Sequence, residues 1–425
     1  MMDTIFALSS GSPPAGIAVV RVSGPRASGV LQALAGRVPQ ARRAVRALFR
    51  DGEGAPLDDG LMLWFPGPAT ATGEDLAELH LHGGRAVVAA VERALAALPG
   101  LRKAEPGEFT RRAFANGRID LAEAEGLADL LEAETEVQRR AAIALAGGVL
   151  SRRVEQWRAG LLMLAARLEA VLDFEDEDDV SALPAGFSEE IAGLGAEIQQ
   201  ALAAPSAEVL KEGYRIALAG PPNAGKSTLF NALTESEAAI TAPLAGTTRD
   251  VLVRPVALGG IPFSFVDMAG LRDGTGDAVE AIGIERARIE IERADLVLWL
   301  GPEGEGPDGA WEIEARCDVD GHQAKQAAHH RVSAVTGEGL DELKRELIGH
   351  AAGAMPRPGE AALNRRQRDL LEQAVQALAV ARMERDPLLI AEGLRQARQA
   401  FDRLVGRSGT EDVLDALFGR FCIGK

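Results

Sequence analysis

The hydrophobic and polar positions of this chain change their spacing along its length. Up to about Asn116, short apolar runs such as 16-GIAVVRVSG-24 and 76-LAELHLHGG-84 are separated by Gly and Pro, which predicts an α+β domain. From about Arg118 the composition turns to Ala, Leu, Glu and Arg. Apolar residues there recur at alternating spacings of four and three, which predicts one long helix with a stripe that suits a helical bundle. The stripe consists of Leu150, Val154, Trp157, Leu161, Leu164, Leu168 and Val171.

A third pattern follows the end of the helical stretch near Pro205. Alternating strand-like and helix-like segments run from Gly213 to about Gly349, and helical composition resumes after 356-PRPG-359. We therefore expect one domain to be inserted into another, with the last helices packing on those of residues 118–203 and bringing Cys422 back beside them. The apolar positions of these last helices are Leu370, Leu371, Val375, Leu378, Leu394, Phe401, Leu404 and Val405.

A phosphate-binding motif opens the inserted segment. In 214-YRIALAGPPNAGKST-228 an apolar strand precedes the pattern G-x-x-x-x-G-K-S, and a helix is predicted to begin near Thr228. The glycines let main-chain N–H groups face a phosphate, Lys226 reaches the terminal phosphates, and Ser227 can ligate Mg²⁺. The residues expected to contact the nucleotide here are Asn223, Ala224, Gly225, Lys226, Ser227 and Thr228.

Three downstream segments favour GTP and GDP over adenine nucleotides. Thr248 in 246-GTTRD-250 is a candidate second Mg²⁺ ligand, and 263-FSFVDMAG-270 predicts a strand ending in Asp267, followed by Gly270 as a γ-phosphate N–H donor. The stretch 333-SAVTGEG-339, with Ser333 and Ala334, is typical of the loop behind the guanine base. These segments, in this order, predict a switch GTPase.

The segment that reads guanine departs from the usual Asn-Lys-x-Asp. It is 315-ARCD-318, which keeps Asp318 for the two N–H donors of guanine but replaces Asn by Ala315 and Lys by Arg316. A carboxylate that accepts both hydrogen bonds still distinguishes guanine from adenine, so we expect GTP specificity with reduced affinity. A register in which 318-DVD-320 is used differently stays open.

Composition narrows the function classes. The 425 residues are 47% hydrophobic with a net charge of −17, which argues against general coating of nucleic acid and makes any RNA contact local. The two cysteines, Cys317 and Cys422, exclude a disulfide framework, and with no apolar run long enough to span a membrane we expect a cytoplasmic protein. We interpret the acidic run 175-EDEDD-179 as a solvated surface rather than a metal cluster.

The whole chain resembles the MnmE (TrmE) family of tRNA-modification GTPases, of the class that includes Era and EngA. The resemblance rests on 3-DTIFA-7, 20-VRVSGP-25, 73-GEDLAELHLHGG-84, 105-EPGEFTRRAFANGRIDLAEAEGLADL-130, 173-DFEDE-177, the GTPase segments and the terminal 421-FCIGK-425. With it, the predicted fold class is multidomain α/β. The implied domains are a folate-binding, dimerising α+β domain (1–117), a discontinuous helical domain (118–210 and 351–425) and an inserted Ras-like P-loop G domain with a parallel-type sheet (211–350).

The family implies a chemistry and its partners. A homodimer acts with the FAD-dependent partner MnmG, in a heterotetramer, and installs an aminomethyl or carboxymethylaminomethyl group at C5 of the wobble uridine of tRNA. The carbon comes from 5-formyl- or 5,10-methylene-tetrahydrofolate. The matching folate contacts are Arg21, Glu78, Arg118 and Lys425, although some relatives have Lys at position 118.

The resemblance also assigns roles to Cys422 and to the residues that hydrolyse GTP. Cys422 would act as nucleophile or acid near the folate, whereas the alternative is a small buried hydrophobic residue. Hydrolysis would use K⁺ instead of an arginine finger, with Glu280 orienting the attacking water. Met268 departs from the Thr of most relatives. The implied K⁺ ligands are Asn223, Thr247 and the carbonyls of Ala242 and Leu244.

Two other interpretations remain. One is a GTP-dependent binding switch like the ribosome-assembly GTPases, which carry a basic RNA-binding module that this acidic chain does not suggest. The other is a structural bundle with a decayed nucleotide site, which is supported only by Ala315 and Arg316.

Overall fold

The structure is a computed structural model that describes residues 3–173, 183, 185–235, 252–268, 288–322, 324–357, 359–408 and 411–425. It divides into two compact units. One comprises Met1–Ala128, Ser151–Glu155 and Phe401–Lys425, and the other comprises Asp129–Leu150 and Gln156–Ala400. The acidic run 175–179 lies outside the described residues.

The first unit contains a six-stranded sheet in the order β3-β4-β5-β2-β1-β6, in which β1 and β6 are parallel and the other neighbours antiparallel. One face packs on α1 and α2 through alternate strand residues, as expected for a half-buried sheet. The predicted runs at 16–24 and 76–84 are β2 and β5. The elements are β1 Thr4–Leu8, β2 Ala15–Ser23, α1 Ala27–Ala35, β3 Val45–Arg50, β4 Pro56–Phe65, β5 Leu76–Gly83, α2 Arg85–Ala96, β6 Leu101–Lys103, α3 Glu108–Ala115 and α4 Leu121–Glu132.

Helices follow the first sheet, and capping side chains explain the start of two helices in the chain. Thr135 and Asn364 form capping boxes with Gln138 and Gln367, so each side chain satisfies main-chain N–H groups at a helix start. The helices before the second sheet are α5 Glu136–Ala146, α6 Val149–Asp173, α7 Phe187–Leu202 and α8 Ala207–Glu212.

The apolar stripe is confirmed as one face of the long helix α6. All seven of its residues are buried, whereas Met163 on the same helix is 67% exposed. The returning helices are also confirmed in part, since the helix Arg365–Met383 (α11) packs along α7 with Leu370, Leu371 and Leu378 buried. Val375 is half-buried instead. A spacing of 3.6 residues per turn is what places such a stripe on one side.

The second sheet has the order β12-β11-β10-β7-β9-β8, with only the β8–β9 pair antiparallel among the described strands. Parallel strands with helices between them are the Ras-like architecture that the sequence predicts, and the fold class is confirmed. The remaining elements are β7 Tyr214–Ala219, α9 Lys226–Thr234, β8 Leu252–Leu258, β9 Ile261–Asp267, β10 Leu296–Trp299, β11 Trp311–Ala315, β12 His330–Val332, α10 Leu340–Ala354, α11 Arg365–Met383, α12 Pro387–Leu404 and α13 Glu411–Phe418.

The last residues of the chain return to the first unit. Leu417, Phe418 and Phe421 form an apolar cluster with Leu121 and other residues of α4. The expectation that the chain end lies beside earlier helices is therefore confirmed. None of the helices described here is long and apolar enough to cross a membrane.

Candidate functional site

The loop between β7 and α9 has the geometry of a phosphate cradle. The helix begins at Lys226, two residues before the predicted start, and Asn223 takes a left-handed conformation with φ of 63°. Lys226 is buried, and its Nζ donates to the carbonyls of Gly220 at 3.0 Å and Pro221 at 2.8 Å. The lysine charge is thus held within the loop, while Ser227 and Thr228 are exposed at the helix N-terminus.

Asp267 lies at the end of β9, beside the strand that leads into this loop. Its main chain is in register with Leu218 of β7, and its side chain is 5% exposed. Met268 is buried in a small apolar cluster with Ala217 and Val266. The carboxylate therefore belongs to the carboxyl edge of the sheet, where parallel strands place their ligand-binding residues.

A cavity of about 180 Å³ lies next to the phosphate loop. Asp318 and Ala334, both expected to contact guanine, line it together with Gly225 and Thr228 of the loop. Ser333 contributes differently, because it is fully buried and its Oγ accepts from the Thr336 N–H at 3.1 Å. Ser333 fixes the turn that presents Ala334.

Arg316 connects the guanine-reading segment to the phosphate loop. Its Nη1 donates to the Asn223 carbonyl at 3.2 Å, and its aliphatic part lies against Gly225. Because guanidinium can reach this carbonyl, Arg at the usual Lys position still braces the loop. Ala315 ends β11 and lies on the same cavity, where its methyl group offers no hydrogen-bonding atom in place of the Asn amide.

Six predicted site residues lie outside the described residues. They are the Mg²⁺ ligand candidate Thr248, the K⁺ ligand candidates Ala242, Leu244 and Thr247, and the hydrolytic candidates Gly270 and Glu280. Elsewhere, over the ranges that the structure describes, there is no cluster of three or more His, Cys, Asp or Glu side chains able to hold a metal ion.

The folate candidates begin as a pair on the open face of the first sheet, the face turned away from α1 and α2. Arg21 of β2 is directly opposite Glu78 of β5, and its Nη2 donates to Glu78 Oε1 at 3.1 Å. His80 Nε2 lies 3.1 Å from the other carboxylate oxygen. Glu78 is thus held from both sides, which fixes the direction of a carboxylate suited to the N–H donors of a pterin.

Phe109 joins this pair to the end of the chain. The Arg21 guanidinium lies 5.9 Å from the centre of the Phe109 ring, and the Phe109 N–H donates to the Lys425 main-chain oxygen at 3.2 Å. The structure therefore links the Arg21–Glu78 pair, through Phe109, to the main chain of Lys425. Arg118 is exposed and its aliphatic part lies against Gly73, and no contact joins it to the other three candidates in the described structure.

The terminal turn presents Cys422 to solvent. The Lys425 N–H donates to the Cys422 carbonyl at 3.2 Å, Ile423 forms a bridge with Pro106, and the Ser9 hydroxyl donates to the Gly424 carbonyl at 2.8 Å. Cys422 itself is exposed. The alternative of a buried hydrophobic residue is therefore wrong.

Two glycines allow main chain to meet main chain at this turn. At Gly424, with φ of 100°, an added Cβ would lie 2.1 Å from the Leu8 carbonyl oxygen. At Gly107, with φ of 69°, it would lie 2.2 Å from the Phe418 carbonyl oxygen. Both distances are far below van der Waals contact, so only glycine fits at either position.

Comparison with known proteins identifies the family. The model of the MnmE helical domain matches residues 121–422, and that of the TrmE N-terminus matches residues 4–118. The tRNA modification GTPase MnmE of Erythrobacter litoralis is 61% identical over 424 residues, and that of Novosphingobium aromaticivorans is 62% identical over 437 residues. Each match covers 100% of both chains.

The chain belongs to the MnmE family. Like its relatives, this MnmE-family chain is a tRNA modification GTPase that binds GTP and GDP and hydrolyses GTP. Among solved structures, the G domain of the T. maritima FeoB iron transporter is 26% identical and covers 32% of this chain and 98% of that chain. Its TM-score of 0.23 is too low to carry a conclusion.

Sequence patterns miss three residues of this MnmE-family site. His80 follows Glu78 by two positions on one strand face, which the alternation of β5 could have indicated. Phe109 and Ser9 act through a main-chain N–H and a hydroxyl on the terminal turn. Their partners lie hundreds of residues away, and no local pattern reveals them.

We predict that Gly424→Ala detaches the terminal turn without unfolding the protein. The new Cβ cannot coexist with the Leu8 carbonyl, so the last residues must move, and hydrogen exchange at the Phe109 amide and across residues 418–425 should speed up at least tenfold. tRNA modification should fall while GTP hydrolysis stays unchanged. Mass-spectrometric exchange measures this, with Gly11→Ala as control because nothing lies within 4 Å of its added Cβ. Unchanged exchange in Gly424→Ala contradicts the prediction.

Proposed function

We propose that this chain is a potassium-activated GTPase that works with an FAD-dependent partner. Together they install an aminomethyl or carboxymethylaminomethyl group at C5 of the wobble uridine of tRNA, with a carbon from 5-formyl- or 5,10-methylene-tetrahydrofolate. The observation that carries the proposal is the Phe109 link, which ties the main chain of the terminal turn to the Arg21–Glu78 pair. Cys422 belongs to this turn, so its thiol is the chain's candidate for the folate and uridine chemistry.

In the G domain, the chain's own residues divide the work of phosphoryl transfer. Lys226 neutralises terminal phosphate charge from within the loop, and Gly270 donates its main-chain N–H to the γ-phosphate. Glu280 holds the attacking water. Ser227 and Thr248 would hold a Mg²⁺ ion, with Asp267 nearby, and the ion would supply positive charge to the nucleotide phosphates.

Guanine selection is assigned to Asp318, because it and Ala334 line the same 180 Å³ cavity beside the loop. Its two carboxylate oxygens match the two N–H donors of guanine, whereas adenine offers an acceptor there. Arg316 keeps the cavity wall in contact with the phosphate loop.

We predict that the chain prefers GTP over ATP and that Asp318→Asn reduces this preference about tenfold to a hundredfold. The loss corresponds to charge-assisted hydrogen bonds worth about 1.5–3 kcal/mol. Displacement of a fluorescent GDP analogue by GTP and by ATP measures it. Asp320→Asn is the matched control, since Asp320 is exposed two residues later. If Asp320→Asn alone changes the preference, the alternative register of 318-DVD-320 is right.

Potassium activation is assigned to Asn223, Thr247 and the carbonyls of Ala242 and Leu244. Asn223 fits this role because its side chain is exposed and its left-handed main chain lies at the tip of the phosphate loop. A bound K⁺ supplies the positive charge that an arginine finger gives elsewhere, worth roughly 10³–10⁵ in rate. Arg316 holds the Asn223 carbonyl and thereby fixes the residue.

We predict faster GTP hydrolysis in KCl than in NaCl at equal ionic strength, and loss of the difference in Asn223→Ala. An amide oxygen that ligates the ion cannot be replaced by a methyl group. Steady-state phosphate release measures the rates. Asn231→Ala, at an exposed position of α9, should keep the full difference. Equal wild-type rates in the two salts would remove potassium from the mechanism.

Folate binding is assigned to Arg21, Glu78, Arg118 and Lys425 in residues 1–117 and the terminal turn. Glu78, held between Arg21 and His80, faces pterin N–H donors, and the cationic residues suit the glutamate tail and the one-carbon carbonyl. Bound tetrahydrofolate supplies the carbon. Cys422 would act on this carbon or on the uridine as nucleophile or acid.

The proposed assembly is a homodimer formed through residues 1–117, joined by the FAD-dependent partner MnmG in a heterotetramer. The FAD-dependent partner would supply redox chemistry to the modification.

We predict that Cys422→Ser abolishes tRNA modification and leaves potassium-stimulated GTP hydrolysis nearly intact. Glu280→Ala should still bind GTP, but its turnover should fall by about 10² or more, and modification should fail with it. Nucleoside analysis after reconstitution with MnmG, together with phosphate release, separates the two effects.

Cys317→Ser is the thiol control for this pair of variants. Burial, helped by the nearby Glu338 and Asp318 carboxylates, raises the pKa of Cys317 and makes it the less reactive thiol. Its replacement should leave modification unchanged. Full modification by Cys422→Ser would show that the terminal thiol has no chemical role.

A further inference from the structure

The charge of this acidic chain is distributed unevenly. The net charge is −17, yet residues 4–50 contain no Asp, Glu or Lys and seven arginines. Such an asymmetry within one chain is typical of a local contact with a polyanion. The arginines are Arg21, Arg26, Arg37, Arg42, Arg43, Arg46 and Arg50.

Five of these arginines lie on and just before strand β3, the edge strand of the first sheet. All five are exposed, and we call them the arginine edge: Arg37, Arg42, Arg43, Arg46 and Arg50. Strand alternation explains part of the arrangement, because Ala47 and Phe49 are buried in the core with α1 and α2. Arg46 and Arg50 therefore point to the open face.

The arginines of this edge donate hydrogen bonds to main-chain carbonyls more often than to carboxylates. Arg37 donates to the Arg46 carbonyl at 3.0 Å, Arg42 to the Ala69 carbonyl, and Arg50 to the Gly54 carbonyl at 2.8 Å. These bonds orient the guanidinium groups, leave further N–H donors on each, and do not neutralise their charge.

The β3–β4 hairpin also carries four carboxylates, Asp51, Glu53, Asp58 and Asp59. Within the described part of the chain, the ion pair that the arginine edge makes is Arg46 with Asp59, both largely exposed. Asp51 follows directly, but its Oδ1 accepts from the N–H groups of Glu53 and Ala55 in its own turn. The five arginines outnumber the four carboxylates, so the edge keeps a small positive excess.

The edge shares its face with the folate candidates. Arg46 is in register with Leu61 of β4, and Leu61 is in register with His80 of β5, which contacts Glu78. Neighbouring strands lie about 4.8 Å apart, so β5 is roughly 10 Å from β3. A polyanion held at the edge would thus lie beside the site assigned to the one-carbon donor.

We propose that the arginine edge binds the sugar-phosphate backbone of the substrate tRNA. Guanidinium groups match phosphate oxygens in pairs, and the edge uses arginine throughout, with no lysine. Backbone phosphates carry the affinity of such contacts and make it depend on salt. The inference rests on the proposed function, in which tRNA is the substrate of this assembly.

The test measures tRNA affinity against salt concentration for a double variant, Arg43→Gln with Arg50→Gln. Removing two phosphate contacts should weaken binding about tenfold at 50 mM salt and reduce the slope of log K against log salt by about two. Fluorescence anisotropy with labelled tRNA gives both quantities. The matched control is Arg85→Gln with Arg93→Gln, two exposed arginines of α2, which packs on the opposite face of the sheet.

Each result of this experiment either supports or overturns the proposal. Affinity and slope equal to those of the α2 control overturn the proposal, as does wild-type protein that binds no tRNA. Loss of MnmG binding with unchanged tRNA affinity would assign the edge to the protein partner and also overturn it. Should the double variant lose its circular dichroism or native mass, Arg37→Gln with Arg43→Gln replaces it.

A failure of the proposed function can be distinguished from a failure of the inference about the arginine edge. If wild-type chain, MnmG and folate modify no tRNA, the function is wrong. If they do, and the double variant keeps the wild-type KM for tRNA, the function stands and the arginine edge is not the contact.

Discussion

The approach of the last residues to the first sheet is the constraint on which the tail site depends. At Gly424 the main chain lies so close to the Leu8 carbonyl that no side-chain carbon fits between them. The Ser9 hydroxyl and the Phe109 N–H then hold the turn on both sides of this contact. Backbone packing of this kind positions Cys422 while leaving its thiol exposed, which a reactive residue requires.

The G domain solves a related problem with altered residues. The usual guanine-reading segment has lost its Asn and Lys, yet Arg316 reaches the Asn223 carbonyl and packs on Gly225. Its longer side chain therefore joins the base-reading and phosphate-binding parts of the site. Asn223 is the proposed potassium ligand, so one arginine connects guanine selection with the expected activation by the ion. Because Arg316 has a role in the site, it no longer supports the interpretation as a decayed nucleotide site.

How much of this could be predicted from sequence depends on the range of each interaction. The stripe of α6, the strand and glycine loop before α9, and the strand ending at Asp267 follow from local periodicity, and the structure has all three. The Arg21–Glu78 pair came from family resemblance, and its register needed the structure. The Phe109 link and the Arg316 brace depend on main-chain atoms that no spacing of residues encodes, whereas the contact of Glu78 with His80 lies within the alternation of β5.

The net charge shows that prediction from sequence is limited for electrostatics as well. A total of −17 argues against general nucleic-acid coating, but total charge is not what a bound phosphate experiences. At physiological ionic strength the screening length is about 8 Å, so exposed charges further away contribute little. The arginine edge lies on one strand and its preceding loop, within reach of a single polyanion, while most of the 63 Asp and Glu residues lie elsewhere in the chain. An acidic protein can therefore hold RNA at one edge and avoid it elsewhere, which favours a defined orientation of the tRNA over tight general binding.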